Sequence, residues 1–518
     1  MNNGRETMKN VLISVSDKTG IVDFAKELTA LGSKIISTGG TYKLLKENNV
    51  DVTEVSEVTG FAECLDGRVK TLHPTVHGGI LARRDDKSHM EQIKSLGIEQ
   101  IDMVVVNLYP FKQTILKEGI DFATAIENID IGGPTMLRSA AKNFKDVAVV
   151  TDSEDYAKII AELKEKGSIS YDMKYRLAMK VFEATSHYDT LIAGYLKEYA
   201  SINEFGPTLT VTYEKVQDMR YGENPHQSAA FYKEIKGTKG SLANAKQLWG
   251  KELSYNNIND TNGALEALKE FGPEQPVVVA VKHGNPCGIG SADTIAEAYK
   301  KAYEGDPLAI FGGIVVANRE IDLATAELIA SIFIEVVVAP SYNQQAFEVL
   351  SKKKNIRLLE LADIGYNNYS RELKKVMGGM LIQERDNKLF DELKCVTKRK
   401  PTERELEDLI FAFKAVKCTK SNAISLAKDK MLVANGPGQV SRIWSLMNAI
   451  RQGGDKIKGS VMASDAYFPF DDCVREAANA GITAVIHPGG SVNDELSIKA
   501  CDELGMAMVT TGVRHFKH

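Results

Sequence analysis

Short apolar runs alternate along this chain with segments of helical spacing, the pattern of a parallel α/β sheet. Val11 to Val15 form an apolar run closed by a turn from Ser16 to Gly20. Ile21, Phe24, Ala25, Leu28 and Leu31 then mark one face of a helix, Lys34 to Ser37 read as a strand, and Thr38 to Thr41 open another helix. Met103 to Leu108, closed by Tyr109, Pro110 and Phe111, and Val147 to Val150 continue the alternation. Residues 152–200 read as two long amphipathic helices ending near Tyr199, and Asn203 to Pro207 break the pattern. Beyond them α/β alternation resumes to about residue 385, and the charged stretch from Lys394 to Arg404, with Pro401, reads as an exposed connector. A third α/β block begins at Glu405. The expectation is an α/β protein in three parts: 1–200, 201–390 and 391–518.

The stretch from Val277 to Gly288 says most about chemistry. Its β-branched run predicts a buried parallel strand that ends at Lys282 and His283, with Gly284 to Gly288 as a loop. Open α/β sheets bind ligands just outside the carboxyl ends of their strands. A cation and a proton carrier side by side there suit group transfer; a loop lysine beside a hydrogen-bonded histidine is the plain alternative. Thr483 to Gly490 echo Val279 to His283 with the Pro and Gly after it, so blocks two and three read as a duplication.

Composition narrows the class. At 518 residues the chain exceeds one domain of ~150 residues. Hydrophobic content of 43% with 26% charged residues predicts a soluble globular fold. A net charge of −5 argues against nucleic-acid binding, although local anion sites remain open. Six cysteines without paired spacing suit reduced thiols in the cytoplasm. The first eight residues lack a signal-peptide core, and no window approaches the ~20 apolar residues of a membrane span. A cytoplasmic protein without membrane partners is expected.

Candidate anion sites cluster at turns of the first block. Thr38, Gly39, Gly40 and Thr41 sit between a strand and a helix, where glycines admit an anion to backbone N–H groups. Lys18 and Thr19 end the preceding strand; the Gly-Lys-Ser/Thr ending of a Walker loop is absent. Arg68, Lys70 and Thr71 add two cations and a hydroxyl, and Asn107 and Tyr109 close another strand. Asp130 leads a Gly-Gly-Pro turn into a helix on which Arg138 and Lys142 share a face. In the second half, Arg220 to Gln227 form a dense polar turn, Ser254 to Asn262 are rich in amides, and Phe311 offers an aromatic face. Lys420 to Asn422 and Gly436 to Arg442 read as a hydrogen-bonding corner, while Arg514 to His518 could be a site or a frayed tail. His283 with Pro286 and Cys287 approaches the zinc-deaminase pattern, yet position 285 is Asn rather than Glu and position 290 is Gly rather than Cys. No zinc is expected.

These motifs together resemble the bifunctional purine-biosynthesis family that joins aminoimidazole carboxamide ribonucleotide (AICAR) transformylase to inosine monophosphate (IMP) cyclohydrolase. The resemblance is carried by Ser14 to Gly20, Arg68 to Pro74, Asn107 to Phe111, Asp130 to Gly133, Ala140 to Asn143, Arg220 to Gln227, Lys282-His283, Ser464 to Phe470 and Arg514 to His518. It implies a methylglyoxal-synthase-like first domain, two cytidine-deaminase-like α/β/α units after it, and a homodimer with transformylase sites at the subunit interface. It implies formyl transfer from the co-substrate 10-formyltetrahydrofolate to the amine of AICAR, then dehydrative closure of the formylated nucleotide to IMP, with no tightly bound cofactor. By the same resemblance His283 moves the proton, Lys282 supports the oxyanion and Asn422 positions the reacting groups. Arg220, Tyr221, Asn259, Phe311, Arg514, Phe516 and His518 would bind nucleotide, and Phe468, Pro469, Phe470 and Asp472 would lie on the folate side. Tyr467 stands where many relatives carry Phe. Ring closure would fall to Lys70, Tyr109, Asp130 and Lys142, with Ser14, Ser16, Lys18, Thr19, Thr38, Gly39, Gly40, Thr41, Thr71 and Asn107 holding the nucleotide. A regulatory nucleotide sensor in the first domain and a zinc deaminase in the second are the competing classes.

Overall fold

The computed structural model describes residues 8–367 and 371–518. The chain divides into two compact units, Met1–Thr212 and Tyr213–His518. In the first, strands β1 (Asn10–Val15), β2 (Lys34–Ser37), β3 (Val52–Glu54), β4 (Met103–Asn107) and β5 (Ala148–Val150) form one sheet in the order β3-β2-β1-β4-β5. Every pairing is parallel, and the inner strands β1 and β4, with β5, are largely buried and read as apolar runs, whereas edge strand β3 is half-buried along its length. One face packs on Phe24, Leu28, Ile159 and Leu163, the other on Ile80, Met136, Leu137 and Val181. The order reverses direction between β1 and β4. That reversal opens a crevice at their carboxyl ends.

The second unit holds β6 (Tyr213–Met219), β7 (Ala229–Glu234), β8 (Lys246–Trp249), β9 (Val277–Lys282), β10 (Asn285–Ser291), β11 (Ile314–Ala317), β12 (Val336–Ala339) and β13 (Arg357–Glu360). Next come β14 (Glu372–Val376), β15 (Gly379–Gln383), β16 (Lys394–Cys395), β17 (Ile424–Lys428), β18 (Met431–Gly436), β19 (Val461–Ser464), β20 (Ala484–His487) and β21 (Ala507–Thr510). Twelve of them form a single sheet, β16-β21-β20-β19-β17-β18-β10-β9-β11-β12-β13-β8, while β6-β7 and β14-β15 are separate hairpins. Helices 255–270 and 403–417 cover one face together, joined through Phe271 and Phe411, and six shorter helices cover the other.

Two copies of one motif build this sheet. Each copy begins with a helix that opens on a reciprocal capping box, Ser254 with Asn257 and Thr402 with Glu405. A hairpin comes next, β9-β10 or β17-β18, and then three parallel strands separated by helices. The copies meet where β10 pairs antiparallel with β18, Gly290 opposite Met431. The duplication expected from the sequence is therefore present in the topology, but in a different register. By order along the motif β9 matches β17, and β20, which carries His487, matches β12. The echo between Thr483 and His283 joins strands that do not correspond.

Two further expectations change. β9 is antiparallel to both neighbours, β10 and β11, and the expected loop from Gly284 to Gly288 is a two-residue turn whose far side is already β10. The connector from Lys394 to Arg404 is tied down: β16 extends the sheet edge, and Arg399 bonds Glu405 at 2.6 Å and the Thr483 carbonyl at 3.1 Å.

Close helix-to-strand contact depends on glycine in both copies. A Cβ on Gly288 would lie 2.0 Å from the Ala302 carbonyl oxygen, and one on Gly436 would lie 2.0 Å from that of Ser445. Gly288→Ala is expected to destabilise the second unit by about 1–3 kcal/mol through overpacking. Both tryptophans, Trp249 and Trp444, belong to that unit, so urea unfolding followed by their fluorescence isolates it. An unchanged midpoint would contradict the packing argument.

Candidate functional site

A cavity of about 670 Å³ opens at the crevice of the first unit. The end of β1 supplies Ser14, Ser16 and Lys18, the turn after β2 supplies Thr38 to Thr41, and the end of β4 supplies Asn107 and Tyr109. Helix Gly132–Lys142 meets it with Asp130 to Gly133, and the segment Leu65 to Leu72 closes one side. Two helices, Gly39–Glu47 and Gly132–Lys142, begin here without a side-chain cap. In the first the leading N–H groups meet no side chain, a setting that favours an anion, while in the second Asp130 accepts the Gly133 amide.

The side chains are held before any ligand arrives. The Ser14 and Thr38 hydroxyls are 2.7 Å apart, and Lys18 Nζ donates to Thr41 Oγ1 at 2.8 Å and to the Val15 carbonyl. Burial lowers the Lys18 pKa, against the opposing pull of Asp17. Lys70 runs between two glycines: a Cβ on Gly67 would stand 2.7 Å from its Cε, and one on Gly39 would stand 3.3 Å from its Nζ. Glu63 pairs with that ammonium at 3.1 Å. Asn107 Oδ1 accepts the Ser16 and Asp17 amides at 2.5 and 2.9 Å. Asp130 accepts the Gly133 and Tyr109 amides at 2.8 and 3.3 Å, and burial raises its pKa against both bonds.

The cavity thus gathers most of the expected first set. Thr19 and Lys142 fall outside its lining. The Thr19 hydroxyl bonds Asp17 at 2.7 Å, and Lys142 is exposed at the far end of its helix. Sequence reasoning passed over Glu63, Asp66 and Gly67, although Asp-Gly is a turn signal.

In the second unit His283 and Gly284 form the turn between β9 and β10, both at positive φ, 53° and 72°. Such turns suit a two-residue hairpin, although φ above zero is uncommon for any residue with a side chain. Asp260 compensates, accepting the His283 amide at 3.0 Å and the Gly284 amide at 2.8 Å. Lys282 Nζ donates to the Phe311 carbonyl at 2.8 Å. Asn285 Oδ1 accepts the Lys420 amide at 3.1 Å, linking this turn to the corner at Lys420 to Asn422.

That corner is rigid. Arg442 pairs with the fully buried Asp465 and donates to Asn422 Oδ1 at 2.8 Å. Ser421 Oγ donates to Asp465 at 2.5 Å and accepts the Lys517 amide at 3.1 Å. The terminal segment is accordingly held in place: His515 is buried against Asp386, and Lys517 pairs with Glu266 at 3.1 Å. Arg514 stacks over Phe516 at 4.3 Å, with the His518 ring 5.7 Å beyond.

The rest of the second set stays dispersed. Arg220 stacks on Tyr221 at 5.5 Å beyond β6, Asn259 lines a 470 Å³ cavity, and Phe311 lines another of 390 Å³. Phe468 is a correction: its ring is fully buried, 5.0 Å from the ring of His487, and cannot face a ligand. Pro469, Phe470 and Asp472 are exposed beside it. Asp260 was missed because only the folded hairpin brings it to His283.

Residues 140–452 match the family model described as the AICARFT/IMPCHase bienzyme, and residues 20–135 match the methylglyoxal-synthase (MGS)-like domain. The chain belongs to the AICARFT/IMPCHase bienzyme family. It is 60% identical to the bifunctional purine biosynthesis protein PurH of Acetivibrio thermocellus, over 99% of this chain and 100% of that one. It is 59% identical to PurH of Ruminiclostridium cellulolyticum over the same shares. The crystal structure of ForH covers 36% of this chain and 98% of its own, at 35% identity and a TM-score of 0.33. Among the described residues of this bienzyme, no group of three His, Cys, Asp or Glu side chains could hold a metal ion.

Asp130 gives a pH signature. Its folded pKa lies above the unfolded value, so its contribution to stability is full below the unfolded pKa, ~3.9, and is lost as pH rises through the folded one. Relative to wild type, Asp130→Asn is expected to gain stability as pH rises from about 4 towards neutrality. Thermal melts of both proteins, followed by circular dichroism, check the sign; a gap that is flat in pH would refute it.

Proposed function

We propose that the two units divide the two reactions of the bienzyme: the second transfers the formyl group to AICAR, and the first closes the formylated ring to IMP. The observation that carries this is the convergence of Lys18, Lys70, Tyr109, Asp130 and two helix N-termini on one cavity. A nucleotide sensor needs the phosphate loop alone. A paired lysine, a phenol and a raised carboxyl around the same space support catalysis.

Ring closure is intramolecular, so much of its acceleration comes from fixing the rotamer in which the carboxamide nitrogen faces the formyl carbon. The Thr38–Thr41 turn holds phosphate, Lys70 stabilises the formyl oxygen as negative charge develops, and Asp130 and Tyr109 move protons while water leaves. Formyl transfer starts from a poor nucleophile, because the amine's lone pair is delocalised into the imidazole and carboxamide. His283 takes its proton as the new bond forms, and Lys282 supports the oxyanion and the departing tetrahydrofolate. Asn422 orients the reactants, and Arg220 and Arg514 hold the ribonucleotide phosphate.

The formyl-transfer residues of one chain do not close around a single described cavity, and Phe470, Phe516, Phe311 and Tyr467 are exposed near them in sequence or space. This supports a homodimer in which a second copy completes the site, and light scattering is expected to give the mass of two chains. Six free cysteines, and no described helix long and apolar enough to cross a membrane, fit a cytoplasmic enzyme.

An assay with AICAR and 10-formyltetrahydrofolate, following formylated intermediate and IMP separately, tests the division. His283→Ala is expected to lower formyl transfer by ~10²–10⁴-fold, the usual contribution of a general base, while supplied formylated nucleotide still closes. Lys70→Ala is expected to show the reverse. Loss of both activities in either folded variant would refute separate sites.

A further inference from the structure

The long helix Tyr171–Tyr199 sends one aromatic side chain to the two segments that carry Asp130 and Tyr109. Tyr188 is buried, 6% exposed. Its hydroxyl accepts the Asp130 amide at 2.8 Å and donates to the Asn128 carbonyl at 3.4 Å. Its ring meets the buried Phe111 edge-on, with centroids 6.0 Å apart. The two segments also bond each other and themselves: the Asp130 carboxylate accepts the Tyr109 amide at 3.3 Å, and the Phe111 amide donates to the Tyr109 carbonyl at 2.7 Å. Tyr188 closes that ring of contacts. It lies outside the lining of the first cavity and lines, with Asn107 and Phe111, a separate one of 310 Å³ that shares Tyr109.

Filling a core does not require this arrangement. Tyr156, as deeply buried in the same unit, stacks on Phe24 at 4.2 Å in the apolar layer of Ile159 and Leu163, away from both segments. Tyr188 instead spends its hydroxyl on the backbone of the Asp130 turn. Burial pushes its phenol up to about 12, and the charge of Asp130 adds to the rise, so at neutral pH the group keeps its proton and serves as donor and acceptor at once.

Asp130 has little slack. Tyr188 pins its amide, and its carboxylate fills the space beside Gly133, where a Cβ would lie 2.4 Å from Oδ2. A shift of the backbone is therefore passed to the carboxylate, and through it to Tyr109. Without the phenol the Asp130 amide would be buried and unmet, which is costly, and the turn would move to reach water. The phosphate turn is held separately, through Ser14, Lys18 and the Val15 carbonyl.

We propose that Tyr188 is a positioning residue for ring closure, setting Asp130 and Tyr109 for proton transfer without touching the substrate. The inference rests on the reading that this cavity closes the formylated nucleotide. Closure joins the carboxamide nitrogen to the formyl carbon and sends two N–H protons away with the formyl oxygen as water. Donors and acceptors must stand within hydrogen-bond reach for both transfers. A displacement of ~1 Å at such groups can cost ~10²-fold in rate.

Tyr188→Phe in the full chain keeps the ring and removes only the hydroxyl. The variant is given formylated AICAR, and its competent sites are counted by calorimetric titration with IMP. Turnover per IMP-binding site is expected to fall ~10–100-fold, with KM and IMP affinity unchanged. Tyr156→Phe, the same chemical change away from the turn, is expected to match wild type. Phe111→Leu keeps the hydroxyl but withdraws the ring contact at the Tyr109 end; it is expected to slow turnover per site too, and decides the matter if Tyr188→Phe folds poorly. Wild-type turnover per site in these two variants, a loss confined to the number of sites or to KM, or an equal loss in Tyr156→Phe would overturn the proposal. Failure of wild type to close formylated AICAR would instead overturn the reading of the cavity.

Discussion

A backbone N–H at the end of a strand loses its ladder partner and needs another acceptor, and this chain meets that demand repeatedly with one carboxylate serving two amides. Asp102 takes those of Lys9 and Asn10 where β1 begins. Asp130 joins the end of β4 to helix Gly132–Lys142, Asp260 holds the β9-β10 turn, and Asp408 holds the β17-β18 turn. Hydrogen bonds to a charged acceptor contribute about 1.5–3 kcal/mol, less where water reaches them, so each carboxylate favours one conformation of its turn. The turns so fixed carry Tyr109 and His283. Satisfying the backbone and aiming the reactive groups are thus one task.

This arrangement explains which parts were legible in the sequence. The first cavity was readable because a parallel sheet brings the carboxyl ends of its strands together, and each end carries its own local signal, such as Thr38 to Thr41. The second set was harder. Asp260 and His283 are neighbours only once the leading helix packs under the hairpin, and nothing local to either announces it. The β-branched run of β9 was read as parallel because burial on both faces produces the same composition in an antiparallel central strand. Gly284 to Gly288 read as a loop since Gly, Asn and Pro usually mark one, yet here Gly288 serves close packing against the Ala302 carbonyl. Phe468 belongs to a matched motif but packs inward: a motif marks a segment, not which of its side chains face out.

Duplication explains the rest. The twelve-stranded sheet needs both copies to bury its faces, since helices 255–270 and 403–417 share one layer. Chemistry is needed from only one hairpin. In the second copy Asp429 of the turn pairs with Arg404, and an exposed Lys458, paired with Asp455, stands where the first copy exposes Phe311. Surface character diverged while the hydrogen-bond frame persisted, and the sequence echo accordingly matched the wrong strands.

The left-handed backbone at His283 has an evolutionary consequence. That conformation costs most side chains about 1 kcal/mol and suits Gly, Asn or Asp better. The corresponding turn of the second copy holds Asp429 at φ 56°, a residue for which that conformation is easier. The imidazole is held against the preference of its own backbone. In a lineage that no longer uses it, this position would drift early, ahead of the core that supports it.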